Sequence, residues 1–260
     1  MARQRNEFDD TKLLSVPAVM SVTVRDKTLT FVTPNKTAAW RAHTLNTKEP
    51  ETIAWLDSLT PRDLLVDVGA NVGMYTIYAA AVSGAHVMAF EPESQNYALL
   101  NENIFMNRLD GRARALPLAI SDSDGIDSFN LSAWGGGGSC HSAGDATGFD
   151  GNPFEPRFVQ GAYKTTLDRL AEHFSGYAAA HLKIDVDGLE PNVVSGASNL
   201  FEKRAFRSVL IEINHNLDAH INIVRKMLQW GYRFDPSSAI KNLRKTGPFA
   251  GVANYVFSAQ

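Results

Sequence analysis

A single cysteine, Cys140, occurs among the 260 residues. That excludes an internal disulfide framework and fits a reducing compartment. Strong charge of either sign is missing too. The 25 Lys and Arg against 28 Asp and Glu leave a net charge of −3, and without a basic run no nucleic-acid footprint is expected. No apolar stretch approaches the roughly 20 residues of a spanning helix. The N-terminus MARQRNEFDDTKLLSVPAVMSV begins basic, but acids follow and Ser15 and Pro17 break its apolar part, so it reads poorly as a secretory signal. These absences point to a soluble, cytoplasmic protein with neither membrane nor nucleic acid as partner. Assembly into a homo-oligomer stays open. What is present suffices for a full-sized core: 44% of residues are hydrophobic and 20% charged, a composition that disfavours disorder.

Residues 19–33 alternate apolar and polar around Arg25-Asp26-Lys27, which predicts a small hairpin. Pro50–Leu59 reads as a helix carrying Ile53, Trp55, Leu56 and Leu59. After Pro61 the texture changes to strands alternating with helices. Strands are expected at Leu64–Val68, at AHVMAFEP ending near Glu91, at ARALPLAI, at IDSFNLS, at AHLKIDVDG and at FRSVLIEIN; YRFD and VANYVFS close the chain. Helices are expected over 73–82, 94–106, TTLDRLAEHF, 190–203 and 218–230, with a Gly-, Ser- and Asp-rich loop over 133–156. This alternation predicts an α/β, doubly wound, mostly parallel sheet with right-handed crossovers, and the closing strands add an antiparallel edge. No internal repeat is evident. Residues 1–48 form an N-terminal extension with the hairpin, and 49–260 the main domain.

Ligands of such sheets bind at the carboxyl ends of the strands, near the point where strand order reverses. Here Gly69-Ala70-Asn71-Val72-Gly73 leads into a helix, and Glu91 ends the next strand 18 residues after Gly73, where a carboxylate can accept from ribose hydroxyls. A dinucleotide fingerprint G-x-G-x-x-G counted from Gly69 needs glycine where Asn71 and Met74 stand. A P-loop is absent as well. S-adenosylmethionine fits better: it carries ribose and adenine without phosphate, and a zwitterionic tail. Asp67 and the loop carbonyls offer acceptors for the tail's ammonium, and the free N–H groups from Gly73 to Thr76 offer donors for its carboxylate. A tight turn alone would also explain the two glycines; Asp67 and Glu91 at successive strand ends weigh against that plain explanation.

The segments VDVGANVGMYT, AFEPESQNYALLNENIFMN, LAISDSDG, TTLDRL, LKIDVDGLEPNVVSGA and VLIEIN stand in an order that resembles FkbM-type S-adenosylmethionine-dependent methyltransferases, over roughly residues 49–216. The resemblance implies the class I methyltransferase (Rossmann-like) fold with a seven-stranded sheet. It also implies O-methylation of a hydroxyl on a sugar or a natural-product-type small molecule. Carried over by position, Asp67, Gly69, Asn71 and Gly73 would line the methionine end and Glu91 the ribose, with Glu91-Pro92 and Ser121-Asp122 bordering the adenine. Two departures are visible: Asp187 stands where the family usually has Glu, and Leu189 where it usually has Ala.

Methyl transfer is an in-line displacement at an activated carbon, so alignment dominates, worth roughly 7–11 kcal/mol. A proton acceptor adds about 10²–10⁴-fold. The catalytic candidates are Asp185, Asp187 and His215; Lys183, Glu190, Glu212 and Asn214 are candidates for contacting substrate. Asp185 and Asp187 share one face of an extended segment. Paired acids shift each other's ionisation or bind a divalent cation, which is left open rather than expected. A turn and helix cap explains Asp187-Gly188 equally well, and His215 reads as readily as a solvated loop histidine. Trp134, Phe149 and Phe154 would cover an acceptor or merely pack under the loop. Cys140 and His141 lack partners at metal-ligand spacing, so no metal site is expected. The competing functions are an NAD-type oxidoreductase and a catalytically inactive, methyltransferase-like binding module.

Overall fold

The computed structural model describes residues 18–260; the first 17 residues of the N-terminal extension lie outside them. A hairpin of β1 (Val19–Val24) and β2 (Lys27–Val32) comes first, followed by α1 (Lys36–Thr44) and α2 (Pro50–Leu56). The hairpin does not stand apart. Leu29, Phe31 and Val32 pack in one core with Leu65, Ile77 and Leu100. The hairpin's polar edge is tied to the helix beyond it, where Asn103 accepts from the Val32 N–H and Asn107 bonds both backbone groups of Thr30.

The main sheet begins with β3 (Leu64–Val68) and α3 (Met74–Tyr78, ending in a π turn over 79–83). Next come β4 (His86–Phe90), α4 (Ser94–Met106) and β5 (Ala113–Leu116). The chain then leaves this sheet to build a second one from β6 (Ala119–Ile120), β7 (Gly125–Leu131), β8 (Ser142–Ala143) and β9 (Phe158–Thr165). It returns through a 3₁₀ segment (Asp168–Phe174) to β10 (Ala180–Ile184), α5 (Glu190–Ser195), α6 (Ser198–Glu202) and β11 (Phe206–Asn214). The last elements are α7 (Asp218–Gln229), β12 (Tyr232–Phe234), α8 (Pro236–Asn242) and β13 (Val252–Ala259). The seven strands lie in the order β12-β13-β11-β10-β3-β4-β5. Only β13 runs against its neighbours, one place in from the edge. Every residue of β3 and of β10 is buried, as helices on both faces of a parallel sheet require. Chain order reverses between β3 and β10, which puts the crevice at their carboxyl ends.

Several expectations need correction. IDSFNLS forms β7 in the second sheet rather than a fourth main strand, and ARALPLAI splits where Pro117 separates β5 from β6. β9 went unpredicted, as did α1 and α8. The helix expected over 190–203 is broken between Ser195 and Ser198, at Gly196, where a Cβ would lie 2.0 Å from the Ser121 carbonyl oxygen, so that only glycine allows this close approach. TTLDRLAEHF is 3₁₀; Thr166 accepts from the Arg169 N–H, while the Asp168 carboxylate caps α6 by accepting from the Asn199 and Leu200 N–H groups. Among the described residues no helix is long and apolar enough to cross a membrane.

Candidate active site

The loop after β3 is held from three sides. The Gly69 and Ala70 N–H groups both donate to the Phe90 carbonyl. Gly69 has φ +79°, and a Cβ on it would lie 1.9 Å from the Asp185 carbonyl oxygen, so only glycine lets β3 and β10 end this close. Asn71 also takes a left-handed backbone, φ 51°. Its N–H donates to Glu91 Oε2 at 2.7 Å and its Nδ2 to the Gly138 carbonyl at 2.6 Å. The Gly-rich loop is thereby fastened over the crevice. The Gly136 and Gly137 carbonyls accept from Asn35 and from Arg41 Nε, and the Cys140 N–H donates to Asp187 Oδ2 at 2.7 Å.

Three connected clefts open here. The first, with about 570 Å³ of empty space, runs between Glu91 and Pro92 on one side and Leu118, Ala119, Ile120 and Phe129 on the other. The second, about 430 Å³, lies between the loop and Arg41, Lys48, Tyr75 and Lys183. The third is wider, about 960 Å³, with Trp40, Asp187, Glu212, Arg244 and Phe249 on its walls. Gly69, Asn71 and Asp185 line all three.

The charges at this junction are sorted by burial and pairing. Lys183 is buried, its Nζ 3.0 Å from Asp185 and 3.8 Å from Asp67. Burial alone would lower it, but those two acids raise it and keep it an ammonium. Burial would likewise raise the Asp185 carboxyl; Lys183 and Lys48 overcome this and hold it at about 2. Asp187 is raised, by burial and then by the Asp185 charge. Glu91 is pushed up to about 7 by burial, against the N–H bonds it accepts from Glu93 and Asn71. Glu212 is raised well above its ordinary value by burial and Asp185, even with Arg244 Nη1 2.8 Å away. The junction of the clefts therefore holds a fixed carboxylate, Asp185, flanked by acids that keep protons longer.

Of the residues expected in the site, the clefts bring together Gly69, Asn71, Glu91, Pro92, Lys183, Asp185, Asp187 and Glu212. Others serve the scaffold. Asp67 and Thr76 bond each other at 2.6 Å beneath the loop, and burial raises the Asp67 carboxyl. Gly73 starts α3 at φ 86°, with Leu100 where its side chain would go. Ser121 donates its N–H to Thr165, and its hydroxyl bonds Asp122; Leu118 to Ile120 take the wall expected of them. Glu190 spends both oxygens on the Val186 and Gly188 N–H groups and shapes the turn. Asn214 donates to the Phe149 carbonyl. His215 pairs with the Tyr255 hydroxyl at 2.9 Å, away from the clefts. Asp185, Glu190 and Glu212 come within 4.8 Å of one another, but Lys183, the turn N–H groups and Arg244 already engage them. Trp40 and Arg41 were missed because α1 buries only Ala38 and Ala42 and so carries almost no periodic apolar signal, and Lys48 because it lies in the short connection between α1 and α2. Arg244 and Phe249 were missed with the irregular segment before β13.

The strand order, with this crevice where it reverses, is that of a Rossmann-like α/β fold. The model of the Methyltransferase FkbM domain matches residues 67–234, and the chain belongs to that family. It is similar to the hexuronic acid methyltransferase AglP of Haloferax volcanii, 26% identical over 69% of this chain and 67% of the relative. It is also similar to the 31-O-demethyl-FK506 methyltransferase FkbM of Streptomyces tacrolimicus, 28% identical over 66% of this chain and 72% of the relative. Among solved structures, the methyltransferase FkbM of Methylobacillus flagellatus KT shares the fold with a TM-score of 0.50 at 14% identity. That match covers 86% of this chain and 55% of the other, so the chain spans about half the length of that protein.

Proposed function

We propose that the chain transfers a methyl group from S-adenosylmethionine to a hydroxyl of a sugar or natural-product-type small molecule. The carrying observation is the convergence of three clefts of different chemistry on Gly69, Asn71 and Asp185. The first cleft suits an adenosine: apolar walls for a base, and a buried carboxylate, Glu91, with lone pairs left for ribose hydroxyls. The second suits an amino-acid tail, with cations beside the Asp185 carboxylate. The third is wide and polar enough for a hydroxylated acceptor. Bound in the first two, the cofactor supplies a methyl group already activated by positively charged sulfur.

This chain's residues then have three tasks. Asp185, held ionised, favours positive charge at the junction. The Asn71 and Asp187 bonds to the Gly-rich loop exclude water from it. Asp187, in both the first and the third cleft, takes the acceptor's hydroxyl proton, because its raised carboxyl is a stronger base than Asp185. The relatives support the acceptor class, one acting on a hexuronic acid and one on 31-O-demethyl-FK506. The Asn71 side chain, spanning to Gly138, occupies the approach that a pyrophosphate would need, which disfavours NAD.

Calorimetric titration tests the cofactor. S-adenosylhomocysteine should bind and NAD should not. Glu91→Gln should weaken the former by roughly 10-fold or more, the worth of a hydrogen bond to a charged group. Ribose hydroxyls donate to the Glu91 carboxylate, so affinity should fall as pH drops through about 7. NAD heat without S-adenosylhomocysteine heat would overturn the assignment. Cofactor binding without methyl transfer to any glycan or natural-product hydroxyl would favour the inactive binding module.

A further inference from the structure

We propose that Arg41, on the N-terminal helix α1, is the clamp for the carboxylate of the cofactor's amino-acid tail. The inference rests on the S-adenosylmethionine reading above and adds a residue that neither the Gly69–Gly73 loop nor the strand ends supply.

Four cations reach the second and third clefts: Arg41, Lys48, Lys183 and Arg244. Three are already neutralised. Lys48 lies 2.6 Å from Glu49, Lys183 lies 3.0 Å from Asp185, and Arg244 bridges Glu49 and Glu212. Arg41 alone among them has no carboxylate within 4.0 Å among the described residues. Its guanidinium is nevertheless fixed, because Nε donates to the Gly137 carbonyl at 2.7 Å. That bond leaves the Nη1 and Nη2 N–H groups to meet a planar anion, the fork that matches a carboxylate's two oxygens.

The position favours the tail over an acceptor. The second cleft is closed on one side by Gly69, Ala70 and Asn71 and on the other by α1, and it joins the adenosine cleft at Gly69, Asn71 and Asp185. A zwitterion lying there places its ammonium by Asp185, held ionised at about 2, and its carboxylate by Arg41. The free N–H groups at the start of α3 are not needed for it. Because the same guanidinium holds Gly137, the tail and the Gly-rich loop share one anchor: filling the cleft braces the strap that covers it.

The test pairs two adenosyl ligands that differ in the tail. S-adenosylhomocysteine has the amino-acid carboxylate; 5′-methylthioadenosine lacks it. On the full chain, Arg41→Gln should weaken S-adenosylhomocysteine by roughly 10- to 100-fold and 5′-methylthioadenosine by only a few-fold, the smaller shared loss coming from the Gly137 bond. Arg41→Lys keeps the charge without the fork and should lose less. Unchanged S-adenosylhomocysteine affinity in Arg41→Gln would overturn the proposal, and so would an equal loss of both ligands, which would mean that Arg41 acts only through the loop. If the unmodified chain binds neither ligand, the cofactor reading itself falls, and the clamp with it.

Discussion

Asp187→Asn is expected to cut turnover by about 10²- to 10⁴-fold, the usual worth of a positioned base, while S-adenosylhomocysteine affinity stays within a few-fold. The asparagine carbonyl can still accept from the Cys140 N–H, so the loop stays fastened and the loss falls on proton transfer. Asp187 itself has a left-handed backbone, φ 53°, which Asp tolerates better than the longer Glu usual in the family. The pH profile gives the second readout. Burial, and then the Asp185 charge, raise the Asp187 carboxyl. A base works deprotonated, so turnover should fall as pH drops through that raised value, and the limb should vanish in Asp187→Asn. Asp185 cannot supply the limb, since Lys183 and Lys48 hold it near 2 against the effect of burial. Near-normal turnover in the variant would remove Asp187 from the chemistry.

Lys183→Met should cost about 3–5 kcal/mol of stability, the penalty for breaking a buried ion pair from one side. The ammonium lies between Asp67 and Asp185, over the Tyr75 ring at 5.4 Å. Met fills similar space but leaves the buried Asp67 without a counter-charge and the half-buried Asp185 without its nearest one. The sign of the pH effect follows. Asp185 has its folded value depressed to about 2, so its stabilisation is present above its unfolded value, near 3.9, and is lost as pH falls toward 2. Without Lys183 the strongest opponent of burial is gone, both acids hold protons to higher pH, and their protonation relieves the variant. The stability difference, measured by urea unfolding, should therefore shrink from pH 8 to pH 5. A difference below about 1 kcal/mol at both pH values would contradict the buried triad.

The first cleft was legible because the parts of its wall are close in sequence. Gly69, Asn71, Glu91 and Pro92 sit at two consecutive strand–loop junctions, and local chemistry sets their backbones. Asp67 was not, for a physical reason: β3 is buried on both faces, so no alternation says which side an acid faces, and it points down to Thr76. His215 fails similarly, one residue past the end of β11, where the chain already turns toward Tyr255. Ser121 and Asp122 were misplaced because the chain departs to the second sheet after β5, leaving Leu118–Ile120 against the cleft. The second cleft was illegible. Arg41 comes from a helix with scarcely any amphipathic signal and meets the loop only through a long-range bond to Gly137, and Lys48 stands in the short connection after that helix. What the pattern of one chain cannot show is which distant segment closes over a site.

A crystal of the protein soaked with S-adenosylhomocysteine tests the account most directly. The ribose hydroxyls should meet Glu91, the base should lie between Pro92 and Ile120, and the sulfur should sit at the Gly69–Asn71–Asp185 junction facing the wide cleft. A ligand bound elsewhere, or a diphosphate seated on the Gly69–Gly73 bend when NAD is supplied instead, would contradict it.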